Sequence, residues 1–337
     1  MKAHDVNTAR SACCLAAVLG AILLASFAKP ASASETASAF SPYLAVDSAK
    51  APDLTADAAD RLHLKAVTLA FLGRAGKCKV GWRGLHKALP YDLMADGKTT
   101  ILDRVEALQR QGVEVILSFG GWMGADPAGQ CDDPAALQAV YQQVLDRYHV
   151  KSLDFDVEGP YVMDLAAHKQ RNQALLGLKR ANPDLTISFT LPVRPHGIPK
   201  GNGLEVLQSA AELGYSPEIV SLMTMDYFVD PGSSTLYRLT ERAMDNAARQ
   251  IQDLGLSSKL GVIPMIGQND NRSETFTLDD ARNLMRYVRA HPDIVRTSLW
   301  SLERDNGGCA GNEKATDTCS GVAQEESAFS QTLSQFH

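Results

Sequence analysis

Along the chain, short apolar runs of strand length alternate with longer stretches whose apolar positions return every three or four residues. The runs fall at 43–47, 64–72, 114–119, 150–157, 185–191, 219–227, 259–266 and 297–301. The helical patterns fall at 101–110, 135–148, 165–181, 204–213, 236–254, 278–290 and 322–336. End signals agree with this reading: Asp133 precedes Pro134, Asn182-Pro183 follows a helical stretch, and Gly214 and Gly255 stand as stops. Strand followed by helix, repeated around eight strands, predicts an α/β (β/α)8 TIM barrel. An open doubly wound sheet is the runner-up. It usually has fewer strands and an early glycine-rich phosphate turn, and neither is found here.

The termini and the cysteines refine this picture. Lys2 and Arg10, the apolar stretch 12–27 and Ala31-Ser32-Ala33 make 1–33 read as a signal peptide. The stretch is short for a membrane span and no second one of spanning length follows. Cys13 and Cys14 precede its apolar core, which argues against lipid attachment at a cleavage-site cysteine. A secreted protein, periplasmic or extracellular and with no membrane association after cleavage, is expected. Residues 34–41 are weakly patterned and are expected to form a mobile N-terminus, with a single barrel domain over 42–337. The cysteines that remain, Cys78, Cys131, Cys309 and Cys319, form an even set in an oxidising compartment. Cys309 with Cys319 would staple a Gly/Asn/Thr-rich loop, leaving Cys78 with Cys131, although four cysteines allow three pairings. Zinc is the competing use, but no Cys-x-x-Cys or histidine cluster accompanies them. A formal net charge of −6 offers no basic footprint for nucleic acid. A monomer is expected.

Candidate chemistry centres on Val150-Lys-Ser-Leu-Asp-Phe-Asp-Val-Glu-Gly159. At the two-residue period of a strand, Asp154, Asp156 and Glu158 project to one face, and Leu153, Phe155 and Val157 to the other. Crowded carboxylates cannot all ionise cheaply, so one proton is retained. Glu158, last in the row, is best placed to act as a general acid. A carboxylate row that binds a hard cation is the alternative. In a barrel the site lies at the strand C-termini. These are Ser118-Phe119-Gly120-Gly121-Trp122 after the third strand, Met223-Thr224-Met225-Asp226-Tyr227 on the sixth, and Pro264-Met265-Ile266-Gly267-Gln268-Asn269-Asp270 after the seventh. Trp300 lies on the eighth. All three tryptophans, Trp82, Trp122 and Trp300, fall in such loops or strand ends. Aromatic faces stack on sugar rings while acids and amides satisfy sugar hydroxyls, which points to a polysaccharide hydrolase.

Leu153-Asp-Phe-Asp-Val-Glu158 resembles the Asp-x-x-Asp-x-Asp-x-Glu signature of the family 18 glycoside hydrolases, the chitinases, and Ser118-Phe119-Gly120-Gly121 resembles their Ser-x-Gly-Gly. Met225-Asp226-Tyr227 looks like their Met-x-Tyr, Trp300 like their strand-eight tryptophan, and the chain as a whole most resembles bacterial chitinases of the D type. The resemblance implies a retaining, substrate-assisted mechanism on chitin or N-acetylglucosamine oligosaccharides, with no metal and no cofactor. By that resemblance Glu158 is the acid, Asp156 holds the substrate acetamide, Asp154 shares a proton with Asp156, Tyr227 fixes the acetamide oxygen and Trp300 forms the pocket floor. Met225, Trp122, Trp82, Ser118, Gly120, Gln268 and Asn269 are further candidates for substrate contact. An endo-β-N-acetylglucosaminidase or a non-catalytic chitin-binding barrel would share much of this set.

Two positions depart from the family pattern. Lys151 stands where the signature begins with Asp, but it is an odd number of residues from the three acids and so faces away from them. On the sixth strand Phe228 follows Tyr227 where an Asp is usual. Pairing Met223-Thr224-Met225-Asp226 with the family pattern instead would put Met225 in the tyrosine's place, and Tyr227 at the strand's end favours the first pairing. About 30 residues separate strands seven and eight, enough for one helix but not for the α+β insertion of deep-cleft members. An open groove and internal attack on the polymer are expected.

Overall fold

Parallel strands arise where the apolar runs predict them, and the hydrogen bonds between them close into a cylinder. The computed structural model describes residues 39–46, 59, 62–85, 87–94, 97–122, 124, 126–229 and 235–335. The expected leader lies outside the described residues. The barrel staves are β2 (Tyr43–Ala45), β3 (Ala66–Arg74), β5 (Glu114–Gly120), β6 (Ser152–Asp156), β7 (Thr186–Pro192), β8 (Ile219–Met223), β9 (Lys259–Ile263) and β12 (Ile294–Thr297). Each pairs in parallel with the next. Closure comes from β1 (Ala39–Phe40), which pairs with β12 while β2, two residues on, pairs with β3. Ser41 N–H and Tyr43 N–H donate to Thr297 and Leu299, and the carbonyls of Pro42 and Ala70 accept from Thr68 and Val46. One segment thus bonds both edges of the sheet. The mobile stretch expected over 34–41 is corrected for its last part: Ala39 and Phe40 are ladder residues, and 34–38 lie outside the described residues.

Helices α1 (Ile101–Arg110), α2 (Pro134–Tyr148), α3 (Leu165–Ala181), α4 (Leu204–Glu212), α5 (Leu236–Asp253) and α6 (Leu278–Ala290) follow the predicted stretches. Their starts are set chemically. Thr100 with Asp103 and Thr277 with Asp280 form capping boxes, and Asp133 and Asp164 accept the N–H groups of Ala136 and Ala167. The last helix is shorter than the pattern over 322–336 implies. α7 covers only Ala328–Leu333, because Ser327 adopts a left-handed backbone and the Asp305 carboxylate takes the N–H groups of Phe329 and Ser330. The last stave also lies earlier than predicted, at Ile294–Thr297 in place of 297–301, with Trp300 beyond it in an isolated bridge to Met265. Between β9 and β12 the chain forms α6 and a small hairpin, β10 (Gly267–Gln268) with β11 (Thr275–Phe276), with no larger insertion.

Register decides what each face holds. Phe119, Phe155 and Phe189 are register partners on β5, β6 and β7 and point outward beneath the helices. Phe119 and Phe155 stack with centroids 5.0 Å apart, and Tyr141 of α2 meets both edge-on. One residue earlier, Ser118, Asp154 and Ser188 are also partners, and they face the barrel axis. The barrel interior at this level is therefore polar, and the apolar core lies between sheet and helices.

Two disulfides, Cys78–Cys131 and Cys309–Cys319, pair as preferred above. The first joins the turn between β3 and the antiparallel β4 (Val80–Trp82) to the loop after β5. Its sequence separation of 53 restrains the unfolded chain by about 4 kcal/mol in the chain-entropy picture. Cys78→Ser with Cys131→Ser is expected to lower the melting temperature by roughly 7 °C. Cys309→Ser with Cys319→Ser, at separation 10, should lower it less. Calorimetry giving the reverse order would contradict the loop-entropy account.

Candidate active site

Asp154 sits at the centre of the polar interior, 2% exposed. Its Oδ2 accepts from Tyr43 Oη (2.9 Å) and Ser118 Oγ (2.7 Å), and its Oδ1 from Ser188 Oγ (2.6 Å) and Thr190 Oγ1 (3.0 Å). Ser188 in turn accepts from the buried guanidinium of Arg296 at 3.2 Å. Tyr43 Oη and Thr190 Oγ1 also lie 2.9 Å apart, so one of the two gives its proton to the other and three hydroxyl protons remain for the carboxyl group. At roughly 1.5–3 kcal/mol per charge-assisted bond, they offset the several kcal/mol that burying a carboxylate costs. A cation held by Asp154 would need the opposite arrangement of dipoles.

Asp156, two residues on, faces the same way but is not satisfied. It is 6% exposed, and its Oδ1 has no hydrogen-bond partner. Burial holds its carboxyl well above the usual carboxylate range, the charges of Glu158 and Asp154 add to the rise, and Arg83 opposes it. Glu158 lies just beyond β6, but its backbone stays extended (φ −144°), so the alternation carries its side chain to the same side. Burial pushes Glu158 up to about 7; Arg83 opposes the rise, Asp226 and Asp270 add to it, and the N–H of Trp122 opposes it through a hydrogen bond. Glycines let the neighbouring strand come this close. At Gly120 (φ +101°) a Cβ would stand 2.1 Å from the carbonyl oxygen of Asp156.

These acids open into a cavity of about 530 Å3, within the range of small-ligand sites. Its floor is apolar. Trp300 stacks on Phe71 (centroids 5.8 Å apart, 25° between planes), with Met223, Met225, Ile263 and Met265 beside them. Its rim carries two large aromatic side chains turned to solvent, Trp122 (62% exposed) and Phe228 (65%). Charges are divided across it. Arg83 comes from the β3–β4 side, and Asp226, Asp270 and Asp317 come from the loops after β8, β9 and β12.

Several expected site residues stand elsewhere. Tyr227 turns away: it is 1% exposed and its hydroxyl meets Thr240 of α5 at 3.1 Å. The alternation ends because β8 stops at Met223 and both Asp226 (φ +45°) and Phe228 (φ +52°) take left-handed backbone. Met225 and Asp226 face the cavity in its stead. Trp82 is buried, donating from Nε1 to Tyr148 Oη at 2.7 Å, so it anchors β4 under α2 and touches no ligand space. Gln268 and Asn269 serve the hairpin turn. Gln268 Nε2 donates to the Glu274 carbonyl, while Asn269 donates to Met265 O and accepts from Asp226 N–H. Ser118 reaches Asp154 only. The hydrogen-bond partners of Asp154 are hydroxyl groups of Tyr43, Ser118, Ser188 and Thr190, and the expected contact with Asp156 is not among them. Lys151 is exposed and precedes β6.

Other cavity residues were not anticipated. Tyr43 was within reach of the parity argument, being an inner position of the first stave. Asp226 and Asp270 lie inside quoted strand-end runs. Arg83 and Asp317 carried no signal, because only the hairpin and the disulfide loop bring them in.

No protein-family model matches the chain. It is 28% identical over 320 residues to the probable bifunctional chitinase/lysozyme of Escherichia coli (strain K12), covering 88% of this chain and 34% of that protein. It is 30% identical over 220 residues to endochitinase 11 of Metarhizium anisopliae, covering 60% and 42%. The chain thus spans less than half the length of these curated relatives. Its fold superposes on active domain 2 of the chitinase from Pyrococcus furiosus with a TM-score of 0.73 and 26% identity, over 88% of this chain and 94% of that one. The chain is thus similar in sequence to proteins named as chitinases, and in fold to a chitinase domain. Against the family pattern, the geometry supports the pairing through Met223-Thr224-Met225-Asp226, because Met225 reaches the cavity and Tyr227 does not. Among the described residues no tyrosine hydroxyl from this strand reaches the cavity, and the hydroxyl of Tyr43 is engaged by Asp154 and Thr190.

The raised Glu158 carries a stability consequence. The folded protein holds this proton up to about 7 whereas a free glutamate releases it near 4.5, so stability falls as pH rises through that window. Glu158→Gln has no such proton to lose. The melting temperature of the variant minus that of the unsubstituted protein should grow between pH 5 and pH 8. A constant difference would mean that Glu158 titrates as an exposed carboxyl.

Proposed function

We propose that the protein is an exported chitinase that hydrolyses β-1,4 bonds between N-acetylglucosamine units with retention, the substrate's own acetamide serving as nucleophile. The observation that carries this reading is a glutamic acid held protonated to about 7 beside a buried aspartate with an unpartnered oxygen, above a tryptophan floor. Glu158 would transfer its proton to the glycosidic oxygen as the C1–O bond breaks. The acetamide carbonyl oxygen would attack C1 and form an oxazolinium ring. Asp156 Oδ1 would accept the acetamide N–H, and the positive charge growing on that ring favours the ionised aspartate that burial otherwise opposes. Glu158, now a carboxylate, would take a proton from water as the water attacks C1 and opens the ring. Met225 and Trp300 would hold the acetamide methyl and sugar face, in the absence of a phenol from β8.

Support also comes from the Pyrococcus furiosus domain, whose catalytic-site mutants have been solved with chito-oligosaccharides at 26% identity and a TM-score of 0.73. The leader-like 1–33 and the two disulfides fit export to an oxidising compartment. The small β10–β11 hairpin between β9 and β12 fits an open groove and internal attack.

Digestion of N-acetylglucosamine oligosaccharides tests the reading. The unsubstituted protein should release β-anomer products, and Glu158→Gln should lose about 10²–10⁴-fold in rate. Products of α configuration at first release, or equal rates in both proteins, would refute it. Because Glu158 must be protonated to act, kcat/KM should fall as pH rises through about 7. A plateau to pH 9 would assign the acid elsewhere. Phe228→Ala should raise KM for the hexasaccharide about tenfold with little change in kcat, if this exposed ring stacks on a sugar.

A further inference from the structure

Outside the barrel, between α2 and α3, lies a buried polar cluster that the proposed chemistry does not use. Asp126, Arg171 and His168 are 5%, 3% and 0% exposed. Arg171 Nε donates to Asp126 Oδ2 at 2.5 Å, and Tyr141 Oη and Ala128 N–H also donate to this carboxylate. Arg171 Nη1 meets His168 Nδ1 at 3.1 Å, and His168 Nε2 meets the carbonyl of Val162 at 2.9 Å. Arginine can only donate, so Nδ1 accepts and Nε2–H donates, which fixes one neutral tautomer. Replacing such a charge pair by apolar side chains is often no loss of stability, so its presence calls for a reason besides folding.

The two ends of this chain supply one. Asp126 belongs to the loop that begins with Trp122, and Val162 to the turn Gly159–Met163 that begins directly after Glu158. These two segments meet at the reaction centre. Trp122 N–H bonds to the Glu158 carboxyl, and the Trp122 carbonyl lies so close to Gly159 that a Cβ there would stand 2.8 Å from it. α3 grips the same loop a second time through Gln170, which accepts from Gly129 N–H (2.7 Å) and donates to the Cys131 carbonyl (3.0 Å).

We infer that Asp126, Arg171 and His168 form a positioning relay that sets the spacing between the Trp122 loop and the turn behind Glu158. The inference rests on the function proposed above. None of the three touches substrate. Their effect is on how well Trp122 and Glu158 are held in common register for a sugar chain, where an error of an ångström is costly.

Histidine variants separate this role from a structural one. In His168→Gln the amide can donate to Val162 and accept from Arg171, so KM for the N-acetylglucosamine hexasaccharide should stay within about twofold of the unsubstituted value. In His168→Phe the relay is cut. KM should rise about tenfold with kcat changed less than threefold, and acrylamide quenching of the exposed Trp122 should change. Should His168→Phe melt below assay temperature, Arg171→Lys carries the same expectation, since its single nitrogen cannot serve Asp126 and His168 together. Folded variants with unchanged KM and quenching would overturn the inference. So would loss of folding in both, which would make the cluster a folding element. If the unsubstituted protein hydrolyses nothing, the proposed function fails, and the relay is still read by hexasaccharide affinity from tryptophan fluorescence in the same variants.

Discussion

Much of this structure depends on a buried aspartate surrounded by hydroxyl groups inside a β-barrel. Buried carboxylates are costly, and Asp154 is tolerated because strands on both sides of β6 present hydroxyls to it in register: Ser118 from β5, and Ser188 and Thr190 from β7. Tyr43 completes the set from the segment that closes the barrel, so closure and charge solvation are one arrangement. Arg296, buried on β12, supplies the balancing positive charge through Ser188. The charge of Asp154 adds to the rise of the next carboxyl along the same face, Asp156.

That arrangement separates the roles of three chemically similar groups. Asp154 is surrounded by hydroxyl groups and does not line the cavity. Asp156 has lost its water but gained no replacement for one oxygen, and it stands against both neighbours. Glu158 is nearer solvent, yet burial and the Asp226 and Asp270 charges keep its proton on near neutrality. A gradient of hydrogen bonding from Asp154 within β6 to Glu158 just beyond it thus yields a fully bonded carboxyl, an unsatisfied acceptor and a group that keeps its proton near neutrality.

The same gradient explains what the amino-acid sequence disclosed. Parity along a regular strand is set by backbone geometry, so the inward row of acids and the outward phenylalanines were legible from spacing alone. Parity failed where the backbone left the strand. Past Met223 the left-handed Asp226 and Phe228 rotate Tyr227 onto α5, and nothing in residue types announces that turn. Trp82 was misread for a related reason: a tryptophan beside a loop looks like a platform until Tyr148, distant in sequence, is seen to receive its N–H. Gln268 and Asn269 are polar at a strand end because a tight hairpin needs side-chain partners for its backbone, a demand that resembles substrate binding when only residue types are known.

Residues brought in from outside the staves give the cavity its electrostatic asymmetry. Arg83 follows Trp82, so the anchoring of that indole under α2 is what delivers a guanidinium to the acids, stacked 4.7 Å over Phe71. On the far wall, Arg304 is 1% exposed and donates to the carbonyls of Ile266 (2.9 Å), Gln268 (2.6 Å) and Thr316, tying the Cys309–Cys319 loop to the end of β9. Its buried charge is opposed by Asp270, Asp317 and Asp226, three carboxylates that line the cavity. Two of these raise Glu158. The guanidinium that fastens the outer loop therefore also compensates the acids that keep the Glu158 proton in place, and loop architecture and proton affinity cannot be altered independently on that wall.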